Sequence, residues 1–162
     1  MFWRLDVAIH AAGWDSGEGA FRVGGRWNSA GVRAVYASLD PATAILEVAV
    51  HKGFTVLDTV AHTLTWATVQ DLGGVRVVTA AEVPNGNWLR PGLPSAGQQA
   101  FGDSLLRSCA FALIPSVVST HSWNAIFDPA AARDRYGDIS QEPFALDTRL
   151  HPPQTIGSGG PG

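Results

Sequence analysis

The feature that most constrains this chain is a strong helix signal with an awkward residue in its middle. Asp40-Pro41 is a clear helix start: Asp serves as the N-cap, and Pro suits the first helical position, where its missing N–H is not needed. Gly53 supplies the stop, so a helix is predicted over residues 41–52. Its first ten residues, PATAILEVAV, are apolar on nearly every side, the pattern of a helix buried all round. Glu47 is the single charge in that run. An unpaired buried carboxylate forfeits several kcal/mol of solvation or takes up a proton. Glu47 therefore needs a partner, and Arg26 is the natural candidate. The plainer alternatives are a purely structural ion pair or an exposed helix edge.

Arg26 stands in the run Gly24-Gly25-Arg26-Trp27-Asn28. Two glycines let a backbone approach a ligand closely and can offer N–H groups to an anion. Arg26 adds a forked cation that suits a pyrophosphate. The same residues could instead make a tight hairpin with an outward arginine. Tyr36, near the end of a strand predicted over 33–38, can stack on a flat ring or fill the core. Ser116, after Pro115 in an apolar strand, can hold an amide or bond to backbone.

The rest of the chain reads as scaffold. Strands are expected over residues 2–8, 54–66, 75–79, 110–118 and 123–128, and a loop over 10–20. A second helix is expected over 95–108, with Ser95 as its cap. Residues 139–149 close the fold, with Phe144, Leu146 and Leu150 as apolar pegs. Pro84, Asn85-Gly86 and Pro91-Gly92 mark loops. Several strands, two or three helices and no regular βαβ alternation indicate an α+β fold. Residues 1–150 form one domain, and 151–162, rich in Pro, Gly and Ser, form a flexible C-terminal tail.

Composition narrows the function classes. Of the 162 residues 46% are apolar and 15% charged, enough to bury a real core. The net charge of -3 argues against a nucleic-acid binder, which usually shows a basic face. No apolar run reaches membrane-spanning length and no signal peptide is evident, so no membrane association and a cytoplasmic location are expected. Cys109 is the lone cysteine and reads as a buried, inert thiol. The five histidines have no metal-ligand spacing, so no metal is expected. Gly-x-Ser-x-Gly, the dinucleotide fingerprint and the Walker A loop are all missing.

Taken in order, Trp3-Arg4, Gly19-Ala20, Gly25-Arg26-Trp27-Asn28, Gly31, Val35-Tyr36-Ala37-Ser38, Ala44-Ile45-Leu46-Glu47 and His51 resemble the RES domain. So do Ile114-Pro115-Ser116-Val117-Val118, Asn124, Asp128-Pro129 and residues 144–150. The resemblance spans about residues 2–150 and favours functional roles for Arg26, Glu47 and Ser116. It implies an ADP-ribosyltransferase-like fold: a split, mostly antiparallel β-sheet with flanking helices around a cleft for NAD+ as substrate. It also implies the toxin of a toxin–antitoxin pair that consumes NAD+. ADP-ribose would pass to water or phosphate or, alternatively, to a host protein. The expected partner is an antitoxin of the Xre or ParS type that covers the active site. On this reading Arg26, Glu47 and Ser116 are catalytic, and Arg4, Arg26, Trp27, Tyr36 and Ser116 bind the dinucleotide. Arg26, helped by Arg4, would hold phosphate, and Tyr36 would flank nicotinamide. Ser116 would bond its carboxamide or the adjacent ribose, and Glu47 would bind ribose and stabilise its cation. Trp27 and Asn28 would shape the loop. The role of His121 is left open. A non-catalytic nucleotide-binding module is the remaining alternative.

Overall fold

A computed structural model describes residues 1–88 and 94–150. The Pro91-Gly92 turn and the tail expected from residue 151 lie outside the described residues. Seven strands form one sheet: β1 (Phe2–Val7), β2 (Val35–Ser38), β3 (His62–Val69), β4 (Val75–Val77), β5 (Phe111–Pro115), β6 (Trp123–Phe127) and β7 (Tyr136–Phe144). Their order is β4-β5-β6-β2-β1-β3-β7. Only β4 and β5 run parallel; every other pairing is antiparallel. Among the described residues four α-helices flank the sheet: α1 (Glu18–Val23), α2 (Pro41–Lys52), α3 (Phe54–Thr59) and α4 (Ala96–Ser108). The fold is thus α+β, with the split, mostly antiparallel sheet that the sequence led us to expect.

The split has a definite location. β1 pairs with β3 at six positions, and β2 with β6 at four, but β1 and β2 meet only at Trp3 and Ser38. Past that joint the two halves of the sheet part. Arg4 bridges the gap: its Nη1 donates to the Tyr36 carbonyl at 2.7 Å. A side chain there gives a strand carbonyl the donor that the neighbouring backbone does not provide.

Strand alternation divides the core. On β5 and β6, Phe111, Ala125 and Phe127 join Phe2, Trp14 and Tyr136 in an aromatic cluster. The alternate residues Ala112, Ile114 and Ile126 pack under α4 with Trp27, Trp88, Leu105 and Leu106. A third cluster, with Leu5, Leu57, Leu64 and Leu146, seats α2 and α3 on β1 and β3.

Both predicted helices form where expected. Asp40 caps α2, its side chain accepting from the Thr43 N–H at 2.8 Å, and Gly53 ends it. Ser95 caps α4, accepting from the Gln98 N–H. Four expectations are corrected. Residues 54–59 are a helix and the strand begins at His62, because Phe54 and Leu57, one turn apart, both reach the third cluster. The 10–20 loop contains a 3₁₀ turn and the start of α1, which Glu18 and Arg22 brace one turn apart. Helix α2 is not buried all round: Leu46 is 36% and Val50 64% exposed, because only one side of α2 meets the sheet. Leu150 is likewise exposed rather than a peg, whereas Leu146 is buried and Phe144 packs against it. Cys109 is half-buried, its thiol donating to the Leu105 carbonyl.

Helix α4 presses on the Arg26 loop at Gly102, where an added Cβ would lie 2.0 Å from the Trp27 carbonyl oxygen. Gly102→Ala should therefore destabilise the fold by about 2–3 kcal/mol, the upper range for overpacking. In a thermal melt that is a fall of roughly 5–10 °C. Gly97→Ala on the same helix meets nothing within 4 Å and should hold or slightly raise the melting temperature.

Candidate active site

The fork between β1 and β2 opens into a cleft of about 440 Å³, walled by β1, α2 and the Arg26 loop. That lies in the range of small-molecule sites, roughly 300–1,000 Å³. Arg4, Arg26, Trp27, Tyr36 and Glu47 all line it; Ser116 does not. A second hollow, lined by Asp15, Ser16, Arg133, Asp134 and Tyr136, contains none of the predicted site residues. Among the described residues no group of His, Cys, Asp or Glu could hold a metal ion.

The loop is built first. Asn28 is fully buried, and its Nδ2 donates to the carbonyls of Ala20, Ser29 and Val32 at 2.9–3.1 Å. Its Oδ1 accepts from the Tyr36 hydroxyl at 2.7 Å, and that hydroxyl accepts from the Trp27 N–H at 3.0 Å. Gly25 fits beneath this cluster because a Cβ there would sit 2.5 Å from the Tyr36 hydroxyl. Helix α4 clamps the loop from behind. Gln99 donates to the Gly25 carbonyl, and Asp103 accepts from the Ser29 N–H. Trp27 is buried against Trp88 and Phe101, so its indole shapes the loop from the core.

The glycine amides are already used, contrary to the expectation that they face an anion. The Gly24 N–H donates to Ala20 and the Gly25 N–H to the Asn28 carbonyl, closing the turn. Arg26 remains as the loop's cation. Its Nη1 donates to the Trp88 carbonyl at 3.0 Å, and it joins no ion pair among the described residues.

Glu47 is not paired with Arg26 either, which corrects the partner expected from the sequence. Its Oε1 accepts from Ser116 Oγ at 2.9 Å and from Asn124 Nδ2. Ser116 is fully buried, and its Oγ also accepts from the Val118 and Ser119 amides. Asn124 Oδ1 accepts from the buried Ser38 hydroxyl at 2.7 Å. Both donors to Oε1 are neutral, so Glu47 joins no ion pair among the described residues. Arg4 is different: its guanidinium grips Asp6 through two bonds of 2.7 Å, so much of its charge is matched inside the cleft. His51 and Lys52 line the cleft at the exposed end of α2, and His121, also exposed, lies outside it.

Sequence reasoning gave no site role to Asn124, Ser38 or Asp6. Asn124 and Ser38 belong to segments that carried the family resemblance, and that was their one signal.

A model of the RES domain matches residues 1–147. The chain belongs to the RES domain family. A relative from Pseudomonas putida named Toxin Res is 31% identical over 157 residues, 93% of this chain and 99% of the relative. Another relative, the Prs ADP-ribosylating toxin of a Sphingobium species, is 35% identical over 137 residues, 80% of this chain and 82% of that one. Among solved structures, a chain of the MbcT–MbcA toxin–antitoxin complex of M. tuberculosis superposes with a TM-score of 0.72. At 23% identity over 89% of this chain and 83% of that one, the likeness shows the fold.

Burial is the main cause that pushes the Tyr36 phenol well above the usual value of about 10, with the Asp103 charge adding to it. Burial also raises Tyr136, followed by its hydrogen bond to Asp15. A phenol raised in the folded state stabilises the fold below pH ~10, and that contribution is lost as pH climbs further. In an alkaline titration followed at the tyrosinate absorbance band, ionisation of both tyrosines should therefore be delayed and coincide with unfolding. Tyr36→Phe, which strands the Trp27 N–H and the Asn28 side-chain Oδ1, should cost about 1–2 kcal/mol at neutral pH and flatten the alkaline slope.

Proposed function

We propose that this protein is the toxin of a toxin–antitoxin pair and cleaves the nicotinamide–ribose bond of NAD+, passing ADP-ribose to water or phosphate. One observation carries the reading. Glu47 and Arg26 share a cleft, neutral groups hold them, and neither forms an ion pair among the described residues. A dinucleotide offers matching charges: an anionic pyrophosphate, and a ribose that becomes cationic as nicotinamide leaves.

The reaction resembles glycoside cleavage, with an oxocarbenium-like transition state. Nicotinamide departs as a neutral base when it takes the electrons of the glycosidic bond, so no general acid is needed. Arg26 holds phosphate through the donors that Trp88 leaves free. Glu47 bonds the ribose hydroxyls and stabilises the developing cation, a preorganised charge in a partly dry site. Ser116 works from behind Glu47, since its hydroxyl is directed at the carboxylate. The Tyr36 ring lines the nicotinamide side, while its hydroxyl holds the loop. Arg4, held by Asp6, braces the cleft wall and adds weaker attraction for phosphate. Trp27 supports the loop from the core and borders the cleft beside Arg26. The resemblance and the names of both relatives support the toxin role, and with it an Xre- or ParS-type antitoxin that covers the cleft.

A second reading has its own support. One relative is named Prs ADP-ribosylating toxin. On that reading the same cleft passes ADP-ribose to a host protein.

Incubation of antitoxin-free protein with adenylate-labelled NAD+, with and without phosphate and lysate, separates these outcomes. Label in free or phosphorylated ADP-ribose establishes depletion; label on one protein band establishes modification; no nicotinamide release sinks both. Glu47→Gln should keep the fold and lower kcat by about 10²–10³-fold. Arg26→Ala should act mainly on KM, raising it about tenfold, as loss of a charge-assisted phosphate contact implies.

A further inference from the structure

Glu47 is aimed as well as held. Both of its hydrogen bonds fall on Oε1, one from Ser116 and one from Asn124, and Oε2 has no hydrogen-bond partner among the described residues. Two donors on one oxygen fix the carboxylate plane and leave the other oxygen for the cleft.

The Asn124 amide has two faces. Its NH₂ attracts the carboxylate, whereas a flipped amide would set a carbonyl oxygen against it. The productive orientation turns Oδ1 away from Glu47 and toward Ser38, whose hydroxyl donates to it at 2.7 Å. Register brings these side chains together, since Ser38 and Asn124 are directly paired on β2 and β6. Ser38 is 2% exposed, and its hydroxyl is the donor that Asn124 Oδ1 meets.

We propose that Asn124 is a positioning residue for Glu47 and that Ser38 acts one step further back, fixing the Asn124 amide so that Oε2 meets the ribose. The kinetic part of this proposal rests on the NAD+-cleavage reading.

The test is steady-state nicotinamide release by wild type, Ser38→Ala, Asn124→Ala, Asn124→Asp and the Ser38→Ala/Asn124→Ala double variant, each first shown to be folded by thermal melting. Asn124→Ala should lower kcat by about 10²-fold, the scale of a misplaced catalytic group, with KM within about twofold of wild type. Ser38→Ala should lower kcat by about tenfold. The double variant should match Asn124→Ala, because Ser38 has nothing left to act through. Asn124→Asp, with a carboxylate facing a carboxylate, should be no better than Asn124→Ala. A wild-type kcat in Asn124→Ala, or losses that multiply in the double variant, would overturn the relay. If wild type itself releases no nicotinamide, the function reading fails, and crystal structures of Ser38→Ala and Asn124→Ala decide the relay alone. Displacement of the Glu47 carboxylate in both variants supports it, and an unmoved carboxylate rejects it.

Discussion

A carboxylate and a guanidinium that share a cleft without touching set the terms for everything around them. Opposite charges attract more strongly where water is scarce, yet no ion pair joins these two among the described residues. Here each is tied elsewhere. Glu47 is anchored by Ser116 and Asn124, and Arg26 by the carbonyl of Trp88. These anchors supply hydrogen bonds without opposite charge. The protein thereby keeps an acidic and a basic side chain apart within one cleft.

That arrangement places demands on remote parts of the chain. The Arg26 loop gets its shape from the side-chain amide of Asn28, and its position from Gln99, Gly102 and Asp103 on α4. The Glu47 wall is set by α2, whose inner side packs on β1. Arg4 serves the opposite end of the design. It is matched by Asp6 and bonded to the Tyr36 carbonyl, so it works as a brace across the fork. Among four basic residues lining the cleft, position alone does not decide which is available to an anion; their partners do.

What was legible in the sequence follows physical range. Helices α2 and α4 could be read because their caps are local: Asp40, Pro41 and Gly53 for one, Ser95 for the other. Helices α1 and α3 could not, since each is six residues long and owes its form to contacts beyond its own sequence. Threonines and valines in residues 54–60 favoured a strand, and the packing of Leu57 outweighed that preference. Glu47 stood out as a carboxylate in need of partners, yet Ser116 and Asn124 lie 69 and 77 residues away. No local pattern carries information over that distance. The glycine pair was read as an anion nest, although its N–H groups close the turn.

The single joint between the halves of the sheet has a mechanical consequence. Ser38 pairs with Trp3 on one side and with Asn124 on the other, so the strand position that links the halves also stands behind the central carboxylate. A change in how the two halves meet at Ser38 therefore bears directly on the amide that holds Glu47.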